Sequence, residues 1–284
     1  MSSIKNYVSL VKFAHTLFAM PFAMIGFFLG AEASDTDLSW RILLLVILCM
    51  VFARNSAMGF NRYIDRRYDA QNPRTSGRDV PTGRISPKAA LIFVVINCIF
   101  FCTTTYFINT LTLFLSPVAL FVVLGYSYTK RVTSLSHFVL GLGLAIAPIG
   151  AYIAVTGSFA SLPMLYSAIV LLWTGGFDIL YALPDEDFDK SVNLKSIPAL
   201  LGRKQAMILS WLVHIIAAII VIYIGFSHHL LYWIGAGTFI ILLNYQHIII
   251  KPSNLNKLNA AFFTTNSIAS ICYSIFVILD LYIR

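Results

Sequence analysis

Asn61, Asp65 and Asp69 stand four residues apart, and Asp185 and Asp189 repeat the interval further along the chain. At 3.6 residues per turn, positions i, i+4 and i+8 of a helix fall within about 80° of one another, so one face presents an amide and two carboxylates together. Oxygen donors of this kind suit Mg²⁺, and the cations that follow, including Arg74 and Arg78, attract the phosphate that such a metal would bind. Between the two acidic sets, Tyr126 and Lys130 are again i and i+4, a phenol beside a point charge able to reach a phosphate. Asp178 lies inside an apolar run ahead of the second set. An unpaired carboxylate at mid-membrane costs ~2.5 to 3.5 kcal/mol on insertion scales, so Asp178 must face a polar cavity or a partner. Arg54, in an earlier apolar run, poses the same problem and is a candidate partner. Asp178, Tyr181, Asp185 and Asp189 would share one stripe of a continuous helix, but Pro184 opposes continuity by removing a backbone donor and disfavouring helical geometry at Leu183.

The elements that must position these groups are apolar helices. With 58% hydrophobic and only 11% charged residues, the chain falls far from the balance of a soluble domain. Runs long enough to cross ~30 Å of hydrocarbon recur along it. About nine are expected, over Phe13–Gly30, Trp40–Phe60, Ala89–Phe107, Leu111–Tyr128, Phe138–Thr156, Leu162–Leu183, Gln205–Phe226, Leu230–Ile250 and Leu258–Ile283. Short loops and the absence of a linker predict an all-α polytopic membrane protein with one domain over residues 1–284. Lys5 and Lys12 precede a first run that ends in Ala31-Glu32-Ala33, resembling a small-residue cleavage site. Its length of ~18 residues exceeds a signal-peptide core, so it is expected to be a membrane span.

Basic residues are unevenly placed. If the amino terminus is cytoplasmic, nearly all of them fall on that side, with only Arg41 and Arg284 opposite. Both acidic sets then face the cytoplasm, as in a bacterial inner-membrane protein. The net charge of +8 arises mainly from this one surface. Contact with anionic lipid accounts for most of the lysines, and nucleic acid is excluded because the charges flank membrane runs rather than forming a soluble face. No protein partner is implied. Cys49, Cys98, Cys102 and Cys272 form no Cys-x-x-Cys pair and are expected to be buried packing residues. His137, His214 and His247 stand alone in the sequence and suggest no zinc site.

The pattern Asn61-Arg62-x-x-Asp65-x-x-x-Asp69-x-x-Asn72-x-Arg74-Thr75-x-x-Arg78, then Tyr126-x-x-x-Lys130, then Asp185-x-x-x-Asp189, resembles the UbiA superfamily of intramembrane aromatic prenyltransferases. The likeness extends over nearly the whole chain, to Lys12-Phe13-Ala14-His15-Thr16, to Ser136-His137 and Ala147-Pro148-Ile149-Gly150, and to Ser196-Ile197-Pro198. It is greatest to the 4-hydroxybenzoate polyprenyltransferase branch, from which Pro184 departs, that branch commonly having glutamine there. The resemblance implies nine membrane helices around a central cavity, the two aspartate motifs facing each other at its cytoplasmic end. It implies that Asn61, Asp65, Asp69, Asp185 and Asp189 hold Mg²⁺ bridging a polyprenyl diphosphate, while Lys130 with Arg74 or Arg78 grips its oxygens. Tyr126 or Tyr181 would stabilise an allyl cation over a ring face. The acid group of the aromatic acceptor needs a cation, for which Arg54 and Lys12 are candidates. Small residues Gly141, Gly143, Ala145, Ala147 and Gly150 are expected to allow close helix packing.

Other functions stay open at this level. A naphthoate-type acceptor, as in menaquinone formation, would use the same diphosphate apparatus. A divalent-cation transporter would place its ligands near the midplane, whereas these cluster at one face beside arginines that repel a bare cation. An idle lipid-binding relative would have no reason to keep both acidic motifs.

Overall fold

The computed structural model describes residues 6–7, 10, 19–34, 38–255 and 258–283. Apolar backbone in a bilayer must satisfy its own N–H and C=O groups, which helices do. The long elements are accordingly all helices: α1 (Met20–Ala33), α2 (Trp40–Ile64), the short α3 (Arg66–Gln71), α4 (Pro87–Tyr106), α5 (Thr110–Thr129), α6 (Ser136–Thr156) and α7 (Ser161–Tyr181). A 3₁₀ turn over Leu183–Asp185 leads to α8 (Glu186–Ser191), α9 (Ile197–Leu201), α10 (Arg203–Gly225) and α11 (Leu230–Ile249), and a π turn over Ala260–Thr265 opens α12 (Asn266–Tyr282).

Seven of the described helices are long and apolar enough to cross a membrane; α1 is shorter in its described part, and α11 carries Asn244, Gln246 and His247 at its end. The nine expected runs therefore all lie on apolar helices in their described parts; the start of the first, including His15, and Lys12 ahead of it lie outside the described residues. Large side chains such as Phe114, Phe121, Phe226 and Ile241 stand exposed on these helices, the surface an integral membrane protein offers to lipid tails.

The chain divides into two compact units, Met1–Thr16 with Trp40–Tyr128, and Leu17–Ser39 with Thr129–Arg284. In the first, α2 packs on α4. Polar pairs join them inside the apolar spans: Asn55 Nδ2 donates to Asn97 Oδ1 at 3.0 Å, and Cys98 Sγ lies 3.4 Å from Ser56 Oγ. Ser86 caps α4 by accepting from Ala89 N at 3.2 Å, with Pro87 in the first turn where its missing N–H costs nothing. The four cysteines are free and partly exposed rather than buried, and Cys98 and Cys102 lie beside the hydroxyls of Ser56 and Ser116.

In the second unit α6 packs on α7 and α1, α7 on α10, and α12 on α11 and α1. Its core is aromatic: Phe22 lies 5.3 Å from Trp173, 6.2 Å from Phe239 and 6.0 Å from Tyr273 by ring centroids. Several polar groups within this core are paired, as burial favours. Trp173 Nε1 and Gln246 Nε2 both donate to Asn266 Oδ1, at 3.0 and 2.7 Å. His214 and His247, isolated in sequence, meet at 2.9 Å through Nδ1 and Nε2, and His214 Nε2 faces the Trp173 carbonyl at 3.1 Å. A carbonyl only accepts, so His214 carries its proton on Nε2 and accepts from His247 on Nδ1. Asp280 of α12 accepts from His229 N and Tyr232 N, both at 3.1 Å, and so caps the start of α11.

Small residues set the closest approaches. A Cβ at Gly26 of α1 would lie 2.0 Å from the Pro148 carbonyl oxygen of α6, and one at Gly141 of α6 would lie 2.5 Å from the Leu171 oxygen of α7. The expectation of close packing thus holds at Gly141, whereas Gly150 would meet only Ile146 of its own helix, at 3.8 Å. Backbone cannot give way as a flexible side chain can. Gly26→Val and Gly141→Val should each destabilise by about 1–3 kcal/mol or more, read as a lower unfolding midpoint in detergent. Gly150→Ala should leave that midpoint unchanged.

Candidate active site

In the first unit, α2 runs on past its expected end and carries Asn61 and Arg62 as helical residues. Asp65 interrupts the helix with φ −88° and ψ 3°. Backbone bonds from Asp65 N to Asn61 O (2.9 Å) and from Asp69 N to Asp65 O (2.8 Å) nevertheless keep the i, i+4 stacking across the break. The side chains form a relay. Buried Arg62 donates to Asn61 Oδ1 at 3.0 Å, and Asn61 Nδ2 donates to Asp65 Oδ2 at 2.8 Å. Asn61 thereby orients Asp65 and keeps one Oδ1 lone pair for another ligand.

Asp69 is buried at the far end of this set. Arg78 Nη1 donates to its Oδ1 at 2.6 Å, while its Oδ2 is buried with no hydrogen-bond partner. Of the two arginines offered by the sequence, Arg78 is the one on the carboxylate; Arg74 has an exposed side chain, and its N–H caps Asn72 Oδ1 at 2.9 Å. Thr75 Oγ1 fastens the same loop to the Asp69 carbonyl at 3.2 Å. Arg54 sits two turns further into α2, half-buried, its Nε without a hydrogen-bond partner. Tyr126 is half-buried near the end of α5, and Arg54 and Arg62 are close enough to it to interact electrostatically.

In the second unit the stripe through Asp178, Tyr181, Asp185 and Asp189 is broken at the expected place. Helix α7 stops at Tyr181, Pro184 sits within the 3₁₀ turn, and α8 starts afresh at Glu186. Asp185 and Asp189 are buried all the same, at 5% and 2% exposure. Lys130 Nζ lies 3.3 Å from Asp189 Oδ2. Tyr181 packs with its ring against apolar core residues. Asp178, for which Arg54 was a candidate partner, is held instead by His137, whose Nδ1 lies 2.7 Å from Asp178 Oδ2.

One stretch ties these pieces together. Leu194 N donates to the Asp189 carbonyl at 2.8 Å, Lys195 N to the Lys130 carbonyl at 2.6 Å, and Ile197 N to His137 Nε2 at 3.3 Å. Asn193 turns the chain into this strap with φ 56°, a left-handed conformation asparagine tolerates well. Beside it, Glu186 is paired to Lys190 and Arg203 at 2.6 and 3.1 Å, so this acidic residue is spoken for.

A protein-family model described as the UbiA prenyltransferase family matches residues 19–268. The chain belongs to the UbiA prenyltransferase family. It is an enzyme, and the ion-path alternative gives way to it. A 4-hydroxybenzoate octaprenyltransferase of Aliivibrio fischeri (strain MJ11) is 33% identical over 248 residues, covering 85% of this chain and 84% of the relative. Another, from Saccharophagus degradans, is 29% identical over 248 residues, 85% of this chain and 81% of the relative. Among solved structures, a UbiA homologue from Aeropyrum pernix K1 without ligand superposes with a TM-score of 0.83 at 30% identity, over 94% of this chain and 98% of the other. A UbiA homologue from Archaeoglobus fulgidus bound to DMAPP and Mg²⁺ shares the fold, with a TM-score of 0.71 at 20% identity over 96% and 99% of the two chains.

The donor set of this UbiA prenyltransferase fits a hard divalent cation. Asp69 Oδ2 is a buried carboxylate oxygen with no hydrogen bond, an arrangement that asks for a ligand, and the surrounding donors are oxygens with no thiolate among them. Among the described residues no three His, Cys, Asp or Glu side chains gather into a metal cage. Two positioning residues, Arg62 and His137, were not assigned roles from the sequence. Both stand within the motifs quoted above, but their parts depend on contacts that spacing does not reveal. Removing the Arg78 guanidinium leaves the Asp69 charge buried and unopposed. Arg78→Ala should therefore cost about 1–3 kcal/mol in thermal unfolding, and Arg78→Lys less.

Proposed function

We propose that this UbiA prenyltransferase transfers a polyprenyl group from polyprenyl diphosphate to a ring carbon of a 4-hydroxybenzoate-type acid, with release of diphosphate and dependence on Mg²⁺. The observation that carries the reading is the state of Asp69: one oxygen is neutralised by Arg78, and the other is buried and open. Asn61, Asp65 and Asp69 in the first unit, and Asp185 and Asp189 in the second, would supply the oxygens that hold Mg²⁺. When bound, the metal neutralises charge developing on the departing diphosphate. Lys130, beside Asp189, and Arg78, beside Asp69, bring positive charge to the diphosphate oxygens without needing to deprotonate. The Tyr126 ring face supports the allyl cation, and the apolar helices keep water from it. Arg54, a guanidinium with an unused buried N–H, binds the carboxylate of the aromatic acid.

A polyprenyl tail favours the bilayer by ~0.8 kcal/mol per buried methylene, which accounts for an enzyme built into the membrane. Basic residues concentrate beside both acidic sets, and the hydroxybenzoate octaprenyltransferases similar to this chain are bacterial. These support a bacterial inner-membrane location with the acidic sets on the cytoplasmic side.

Membranes containing the enzyme, supplied with Mg²⁺, a polyprenyl diphosphate and either 4-hydroxybenzoate or a dihydroxynaphthoate, should yield prenylated hydroxybenzoate by mass spectrometry. Product from the naphthoate alone would overturn the acceptor assignment. Asp65→Ala and Asp185→Ala should each lower turnover at least about 100-fold in protein that still elutes as a folded species. Chelation should silence the enzyme, and Mg²⁺ should restore it. Arg54→Leu should raise the KM for the aromatic acid about tenfold while leaving that for the diphosphate unchanged, one lost charged hydrogen bond.

A further inference from the structure

His137 and Asp178 form a pair whose two members differ sharply in exposure. The His137 side chain is fully buried, whereas that of Asp178 is 21% exposed. Ile197 N–H points at His137 Nε2, which must therefore accept, so the imidazole proton resides on Nδ1 and is donated to Asp178 Oδ2. The neutral imidazole thus fixes one carboxylate oxygen from behind. Oδ1 takes no hydrogen bond among the described residues. A pair made only to join α6 to α7 would bury both partners; here the acid end is left open. The pair also shares its anchor with the diphosphate-binding groups, since the strap over residues 194–197 bonds to Asp189, Lys130 and His137 through neighbouring amides.

Resting on the hydroxyaryl-acceptor reading above, we infer that Asp178 accepts the proton of the acceptor's ring hydroxyl, and that His137 is its positioning residue. As the O–H bond breaks toward Asp178, the ring carbon ortho to the oxygen bonds to the prenyl carbon, whose bond to diphosphate breaks with the electron pair leaving on diphosphate. The ring is then a dienone. Aromaticity returns when the proton on the newly substituted carbon passes to water and Asp178 returns its own to the oxygen, so one proton is released per turnover. A phenolate is a far stronger carbon nucleophile than a phenol, and Asp178 is the carboxylate that α7 carries within its apolar span.

The test compares purified full-length wild type with Asp178→Asn, which keeps the shape, and with His137→Phe and His137→Asn, the last of which places an amide N–H where Nδ1 was. Asp178→Asn should lower kcat about 100-fold with KM for polyprenyl diphosphate within twofold, and His137→Phe about tenfold, with His137→Asn recovering most of the loss. With 3-fluoro-4-hydroxybenzoate, whose hydroxyl is more acidic, the deficit of Asp178→Asn relative to wild type should shrink several-fold, which a merely structural residue would not produce. An equal deficit on both acceptors, a kcat within twofold of wild type, or a loss confined to the diphosphate KM would overturn the inference while leaving the proposed activity intact. A wild type inactive on every hydroxyaryl acid would overturn both.

Discussion

A carboxylate carried at the end of a lipid-embedded helix survives only if something holds it, because hydrocarbon offers neither water nor counter-ions. Asp69 is held by Arg78, Asp189 by Lys130, Asp178 by His137, and Asp65 by Asn61, itself gripped by Arg62. The holding is partial where it matters. At Asp69 and at Asp178 one oxygen is tied and, among the described residues, the other takes no hydrogen bond. Such a group is fixed in direction yet keeps negative charge to offer, the state a cation-binding or proton-accepting carboxylate needs.

Breaks in the helices serve the same end. Continued as one helix, α7 would carry its acids along a single stripe; the 3₁₀ turn at Leu183–Asp185 instead gives Asp185 and Asp189 a separate short element. Pro184 fits this turn at no cost in hydrogen bonds, since a first-turn nitrogen has no intrahelical acceptor to lose. The strap after Asn193 delivers three backbone N–H groups, to the Asp189 and Lys130 carbonyls and to His137 Nε2.

In the core away from the acids, several polar side chains close on one another. Trp173, Gln246 and Asn266 close their hydrogen bonds among themselves, and His214 with His247 do so against a carbonyl. These polar groups tie α7, α10, α11 and α12 together. The contrast with Asp69 and Asp178 separates structural from working polarity in one chain.

What the sequence by itself determined was the membrane class, the run of apolar helices, and the acidic motifs with their cations. Those depend on local quantities: how many apolar residues follow one another, and which side chains stand i and i+4 apart. The break at Pro184 was legible for the same reason, as proline acts on its own backbone. Tertiary structure alone decided the partners. That Asp178 meets His137, 41 positions away, that His214 meets His247, and that Arg78 is chosen over Arg74 depend on helix packing and loop closure, for which spacing along the chain carries no record.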